Sequence, residues 1–277
     1  MTATADGKRA LPWRVEELDF SALDPALVRD DETLFFQLVS ASFIETGADV
    51  YTSNLLDYYG DDAETADWLA GQWEQEELQH GRALRTYVAR VWPEFDWQTA
   101  FTRFFEQYGA SCASTQFEAT PALELAARCV VETGTATYYR MLMDYVREPV
   151  LRQLLDHIRS DEVRHFKYFY RSFRHHQQTA RHSRLRVAGV LWHRLREALN
   201  EDAYIAFRHA YAMRHPERAN DSHTYARFKR RINDIARRHY PYTMGAEMLL
   251  TPLALPPLLR RQGVRAVGSV FRLAGFR

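Results

Sequence analysis

Apolar residues recur along this chain at intervals of three and four over long stretches, and no stretch of useful length alternates between apolar and polar positions. A three-to-four spacing brings side chains onto one face of a helix, whereas a strand needs a period of two. The pattern predicts helices near residues 31–59, 62–91, 97–109, 119–147 and 150–178, with further helical patterns near 184–213, 219–239 and 244–262. Gly60-Asp61-Asp62 marks a turn, Pro93 and Glu148-Pro149 close helical segments, and Pro121 suits a first helical turn. The expected fold is all-α, with a short N-terminal lead over residues 1–30.

Acidic residues stand inside the apolar runs. Glu45 follows Leu38-Val39 and Phe43-Ile44, and Glu132 follows Ala126-Ala127 and Cys129-Val130-Val131. A carboxylate in such a setting is neutralised or expelled unless cations balance it. Each of the two is followed about thirty residues later by Glu-x-x-His, as Glu77 with His80 and Glu162 with His165. With 19 Glu and 11 His in 277 residues, chance supplies roughly one Glu-x-x-His, so either copy alone says little. Two copies with matched geometry say more. The midpoint between Glu45 and its distant pair falls at the turn near residue 62, and that between Glu132 and its pair falls at Glu148-Pro149. Folding each hairpin there places its ligands level, about 22 Å from the turn at roughly 1.5 Å per residue.

The flanks repeat as well. Glu45-Thr46-Gly47 and Glu132-Thr133-Gly134 are each followed by Tyr (Tyr51, Tyr138), Leu (Leu55, Leu142) and Asp-Tyr (Asp57-Tyr58, Asp144-Tyr145) at equal distances. Such a repeat implies pseudo-two-fold symmetry. Four carboxylates with two imidazoles are the set a helix bundle uses to hold two metal ions in its core. Hard carboxylate oxygens suit iron, or an iron and manganese pair, better than zinc.

The chain has no net charge, but residues 1–163 carry 29 acidic against 13 basic residues and residues 164–277 carry 7 against 23. The basic stretch, including Arg227, Lys229, Arg230, Arg231, Arg237 and Arg238, fits either an acidic partner or anionic surface, or the acidic helices of the same molecule or of a second subunit. No nucleic-acid motif accompanies the charge, so nucleic acid is not an expected partner. Only Cys112 and Cys129 are present, Met1 to Asp6 form no hydrophobic leader, and Met248–Leu259 is too short and Pro-rich to span a bilayer. Those features predict a cytoplasmic protein, with Cys129 a core residue rather than a ligand. Val187–Leu199 and the apolar C-terminus suit a dimer interface, a lid or a membrane-surface contact, and a homodimer is expected.

The run Trp73-Glu74-Gln75-Glu76-Glu77-Leu78-Gln79-His80-Gly81 resembles the Trp-x-x-Glu-Glu-x-x-His-Gly segment of the soluble acyl-carrier-protein desaturases of the ferritin-like superfamily. Asp161-Glu162-Val163-Arg164-His165 is similar to their Asp-Glu-x-Arg-His segment, and Thr135 stands three residues after Glu132 as a Thr does there. The resemblance covers roughly residues 31–175. It departs at Gly47-Ala48-Asp49-Val50-Tyr51, where the family's Leu-Pro-Thr-Tyr run keeps only the Tyr, and residues 180–277 match no family segment.

The resemblance implies a ferritin-like four-helix bundle over residues 31–178 with a basic helical extension over 179–277 packing on it. It further implies two irons that activate O2 and remove hydrogen from an unactivated C–H bond, an acyl chain on an acidic carrier protein, and a ferredoxin-type electron donor. Glu45, Glu77 and His80 would hold one iron and Glu132, Glu162 and His165 the other, with Glu77 and Glu162 bridging. Asp161 and Glu76 would accept the second ring N–H of a ligating His. Thr135 would donate to bound oxygen or bond back to a helix carbonyl. Trp73 would pass electrons or pack in the core. Two other classes share the constellation: a di-iron hydroxylase or N-oxygenase of a small organic substrate, and a non-catalytic ferritin-like iron protein.

Overall fold

The structure, a computed structural model, describes residues 10–112, 117–197, 202–219 and 223–274. Every regular element among them is helical. Residues 1–9, and with them the reading that no leader begins the chain, lie outside the described residues. The rest of the N-terminal lead forms three short 3-10 turns, two of them capped by Asp19 and Asp24.

The first predicted helix divides at Gly47 into α1 (Glu32–Thr46) and α2 (Ala48–Tyr58). The turn follows at the expected place, with Asp62 capping α3 (Ala63–Trp68) by accepting from the Thr65 amide at 3.2 Å. A π-helical turn, Leu69–Trp73, then leads into α4 (Glu74–Val91). Next come α5 (Trp97–Cys112), α6 (Pro121–Tyr145) and α7 (Pro149–Ala180), close to their predicted bounds. The pattern over 184–213 is α8 (Arg184–Glu197) and α9 (Asp202–Arg214), with residues 198–201 outside the described residues. α10 spans Thr224–His239; of its predicted start at 219, residues 220–222 lie outside the described residues. The last expectation, one helix over 244–262, is corrected to α11 (Tyr242–Leu250) and α12 (Pro257–Ala274). Pro252 and Pro256 break the run, and Ala254 between them has φ 46°, the left-handed conformation that ends a helix.

The chain is shared between two compact units. The first comprises residues up to 116, 147–154 and 201–228; the second comprises 117–146, 155–200 and 229–277. In the first unit α1 is buried on all sides from Leu34 to Phe43 and packs against α4 and α9, with Leu34, Phe35, Phe36, Leu38, Val39 and Phe43 in the core. Burial of each such side chain is worth about 2 kcal/mol. Its N-terminus is held by Asp31, which accepts from the Leu34 amide at 2.9 Å. In the same unit Glu148 receives the Leu151 amide at 2.7 Å and the Tyr87 hydroxyl at 3.0 Å, so Glu148-Pro149 starts α7 as well as ending the preceding segment.

In the second unit α6 is buried along most of its length and packs against α8 and α11, with α12 resting on α11. Arg128 lies wholly inside it, its Nε 2.8 Å from Glu124 Oε1. Arg194 of α8 approaches the same carboxylate at 3.6 Å. Burial pushes the Arg128 guanidinium down to about 9 and the Glu124 carboxyl upward. Cys129 is buried, as expected of a core residue, and its thiol is pushed well up by burial.

Candidate metal sites

Each lone-Glu helix is a core helix of its own unit, so its carboxylate is carried inside with its apolar neighbours. In the first unit Glu45 sits on the last turn of α1, facing Glu77 and His80 of α4. His80 Nδ1 lies 3.7 Å from Glu45 Oε2 and 3.6 Å from Glu77 Oε2. In the second unit His165 Nδ1 lies 3.6 Å from Glu132 Oε2 and 3.7 Å from Glu162 Oε2. All six side chains are buried.

These four separations are too long for hydrogen bonds. They lie close to the separation of two atoms bound to one ion, about 3.4 Å for bonds of about 2.1 Å in tetrahedral geometry. Within each triad the candidate ligand atoms all lie within 4.8 Å of one another. These buried Glu/His clusters can hold metal ions. In both histidines the nitrogen that faces the two carboxylates is Nδ1, an orientation the sequence leaves open.

The surroundings of the triads differ. A Cβ on Gly81 would lie 2.4 Å from Thr46 Oγ1 and 2.7 Å from the Thr46 backbone nitrogen. The backbones of α1 and α4 therefore meet one residue beyond Glu45 and His80, and only glycine permits it. At the matching place in the second unit stands Phe166, itself buried. Trp13, from the lead, lays its indole parallel to the His80 ring at 6.3 Å, and its carbonyl accepts from Gln79 Nε2 at 2.9 Å. Sequence reasoning missed both roles, since contacts of residue 13 with residue 80 leave no periodic trace.

Thr135 donates to Glu162 Oε2 at 2.8 Å, with the carbonyls of Glu132 and Val131 farther off at 3.2 and 3.4 Å. Its hydroxyl thus reaches a candidate ligand and not merely its own helix. Its counterpart in the first repeat, Ala48, has no hydroxyl. Glu76 is fully buried and accepts from Gln72 Nε2 at 3.1 Å. Asp161 is equally buried and paired with Arg164. Trp73 is buried at the end of the π turn, one turn before Glu77. Some repeated positions share their burial, Leu55 and Leu142 being buried and Tyr51 and Tyr138 half-buried, whereas Gly47 is buried and Gly134 exposed.

No family model, no curated protein and no solved structure matches the chain. The candidate metal sites rest on their own geometry.

Proposed function

We propose that the chain is a di-iron, O2-dependent oxidoreductase with a ferritin-like bundle core, acting on an unactivated C–H bond of an acyl chain presented by an acidic carrier protein. The observation that carries this reading is the recurrence of one buried triad, a lone Glu with Glu-x-x-His, at metal-ligand spacing in each unit. In this reading Glu45, Glu77 and His80 hold one ion and Glu132, Glu162 and His165 the other. Four carboxylates neutralise two divalent cations, which makes burial of the whole set tolerable and favours iron, or iron with manganese.

When bound, iron supplies the electrons that activate O2 and the oxidising power to take hydrogen from carbon. Removing two neighbouring hydrogens, and passing them with two donor electrons and two protons to O2, yields a double bond and two waters. The chain's own groups hold and enclose. Thr135 fixes one oxygen of Glu162 by donating to it. Trp13 covers the His80 ring and excludes water from that ligand. A ferredoxin-type protein is the proposed electron donor, and Trp73 a residue on the way in.

Native mass spectrometry with metal analysis, on protein produced with supplemented iron, tests the reading. Two irons per chain, lost in Glu77→Ala/His165→Ala, are expected, together with an O2-dependent product from acyl-carrier-protein substrates given reduced ferredoxin. A wild-type chain holding no transition metal sinks it.

A further inference from the structure

In the second unit α12 packs on α11 through a half-buried side that includes Gly263, Val267, Gly268 and Phe271, and a Cβ on Gly263 would already meet Leu250 Cδ1 at 3.1 Å. Away from that side the helix presents large apolar residues to solvent. Leu258 and Leu273 are each 73% exposed, Val270 58% and Leu259 55%. At 3.6 residues per turn these four and Ala266 fall within about 120° of arc, which the exposed Gln262 and Ser269 share. Arg261, Arg265 and Arg272 fall within about 40° and border that stripe along one edge.

The same three arginines line a cleft of about 670 Å³ between α11 and α12, together with Tyr242 and Ser269. Among the described residues none of the three is paired with a carboxylate. Glu247 is the one acidic side chain among those lining the cleft, and no acidic residue follows it in the chain. A groove rich in guanidinium groups beside exposed aliphatic side chains matches the two layers of a lipid surface, phosphate headgroups and the acyl chains beneath them.

We propose that α12 is a membrane-surface element that lies in the plane of an anionic bilayer, with Leu258, Leu259, Val270 and Leu273 entering the headgroup–acyl boundary and Arg261, Arg265 and Arg272 holding lipid phosphates. Its 18 residues span about 27 Å along the surface. No described helix is long and apolar enough to cross a membrane, so the contact is peripheral. A second copy packed α12 against α12 is the weaker occupant: it brings three further guanidiniums, and residues 248–277 contain no Asp or Glu to meet them. The contact is independent of the metal reading.

Vesicle flotation of the full chain decides it. The protein is expected to float with phosphatidylcholine vesicles containing about a third phosphatidylglycerol, and not with pure phosphatidylcholine, with salt weakening recovery. Arg261→Ala/Arg265→Ala/Arg272→Ala should weaken partitioning roughly a hundred-fold. Leu258→Ser/Leu259→Ser/Val270→Ser/Leu273→Ser should abolish it. All seven side chains are exposed, and circular dichroism melts matching the wild type establish that the variants fold. Equal recovery on both vesicle types, or recovery on neither, overturns the proposal. So does a wild-type dimer by light scattering that the leucine and valine substitutions split while vesicle binding is absent.

Discussion

Gly81 shows how much a single methyl group can decide. The first triad depends on α1 and α4 approaching at Thr46 and Gly81, where a Cβ would overlap the Thr46 backbone as well as its hydroxyl. Gly81→Ala is expected to cost about 1–3 kcal/mol by overpacking and to reduce metal occupancy of Glu45, Glu77 and His80. Gly134→Ala is the matched control, because nothing lies within 4 Å of its Cβ and alanine favours a helix interior by up to about 1 kcal/mol. Thermal melts with metal analysis compare the two, and equal behaviour would mean that the close approach is not required. Thr135 offers a second test at this scale. Thr135→Val removes the donor to Glu162 and should weaken metal binding about ten-fold, whereas Thr135→Ser should retain it. Metal titrations showing all three proteins alike would end the positioning role. Glu45 and Glu132 were legible in the sequence as charges inside apolar runs, and Glu77, His80, Glu162 and His165 as a Glu-x-x-His repeated at matched spacing. Trp13 and Gly81 were not, because one acts across a long sequence separation and the other acts by having no side chain.

At the scale of elements, the start of α7 rests on Glu148. Its carboxylate receives the Val150 and Leu151 amides, which would otherwise be orphaned donors of the first turn, and the Tyr87 hydroxyl from α4. Glu148→Ala is expected to cost about 2–3 kcal/mol, the loss of a cap together with a buried donor left unsatisfied, and Tyr87→Phe about 1 kcal/mol, both read from denaturant unfolding. Burial, then the charge and hydrogen bond of Glu148, push the Tyr87 phenol above its usual value of 10.0. A raised folded-state value places its contribution below pH 10 and removes it above. The wild-type–Phe difference should therefore hold from pH 6 to 9; a difference that fades within that range would contradict the buried bond. Helix positions were largely legible, since period and proline report them directly. The π turn at Leu69–Trp73 was not, because one extra residue in a turn leaves both flanking stretches with helical spacing. Nor was the break at Gly47, where a glycine inside a strong apolar pattern reads as tolerated. The C-terminal run was misjudged for the opposite reason. Its apolar content continued through Pro252 and Pro256, which end one helix and introduce the next.

Across the whole molecule the governing quantity is buried acid. The first unit encloses Glu45, Glu76 and Glu77, the second Glu132, Asp161 and Glu162, and the acidic excess of residues 1–163 foreshadows both. Carboxylates removed from water demand counter-charge, and near the triads the charge that fits the spacing of the ligand atoms is a metal ion. A site of that kind is absent from the unfolded chain, so binding energy becomes folding energy. Iron(II) added without air, or manganese(II), at about a hundred times its dissociation constant should contribute roughly 2.7 kcal/mol per ion. For a chain of this size that raises Tm by roughly 5–10 °C with both ions bound. Glu45→Ala/His80→Ala should keep about half the shift if the triads bind independently, and lose nearly all of it if the first ion is needed for the second. A Tm indifferent to iron, manganese and chelator alike would mean that the triads balance their charge with protons, and the carboxylate-rich interior would then be a structural polar core rather than a metal site.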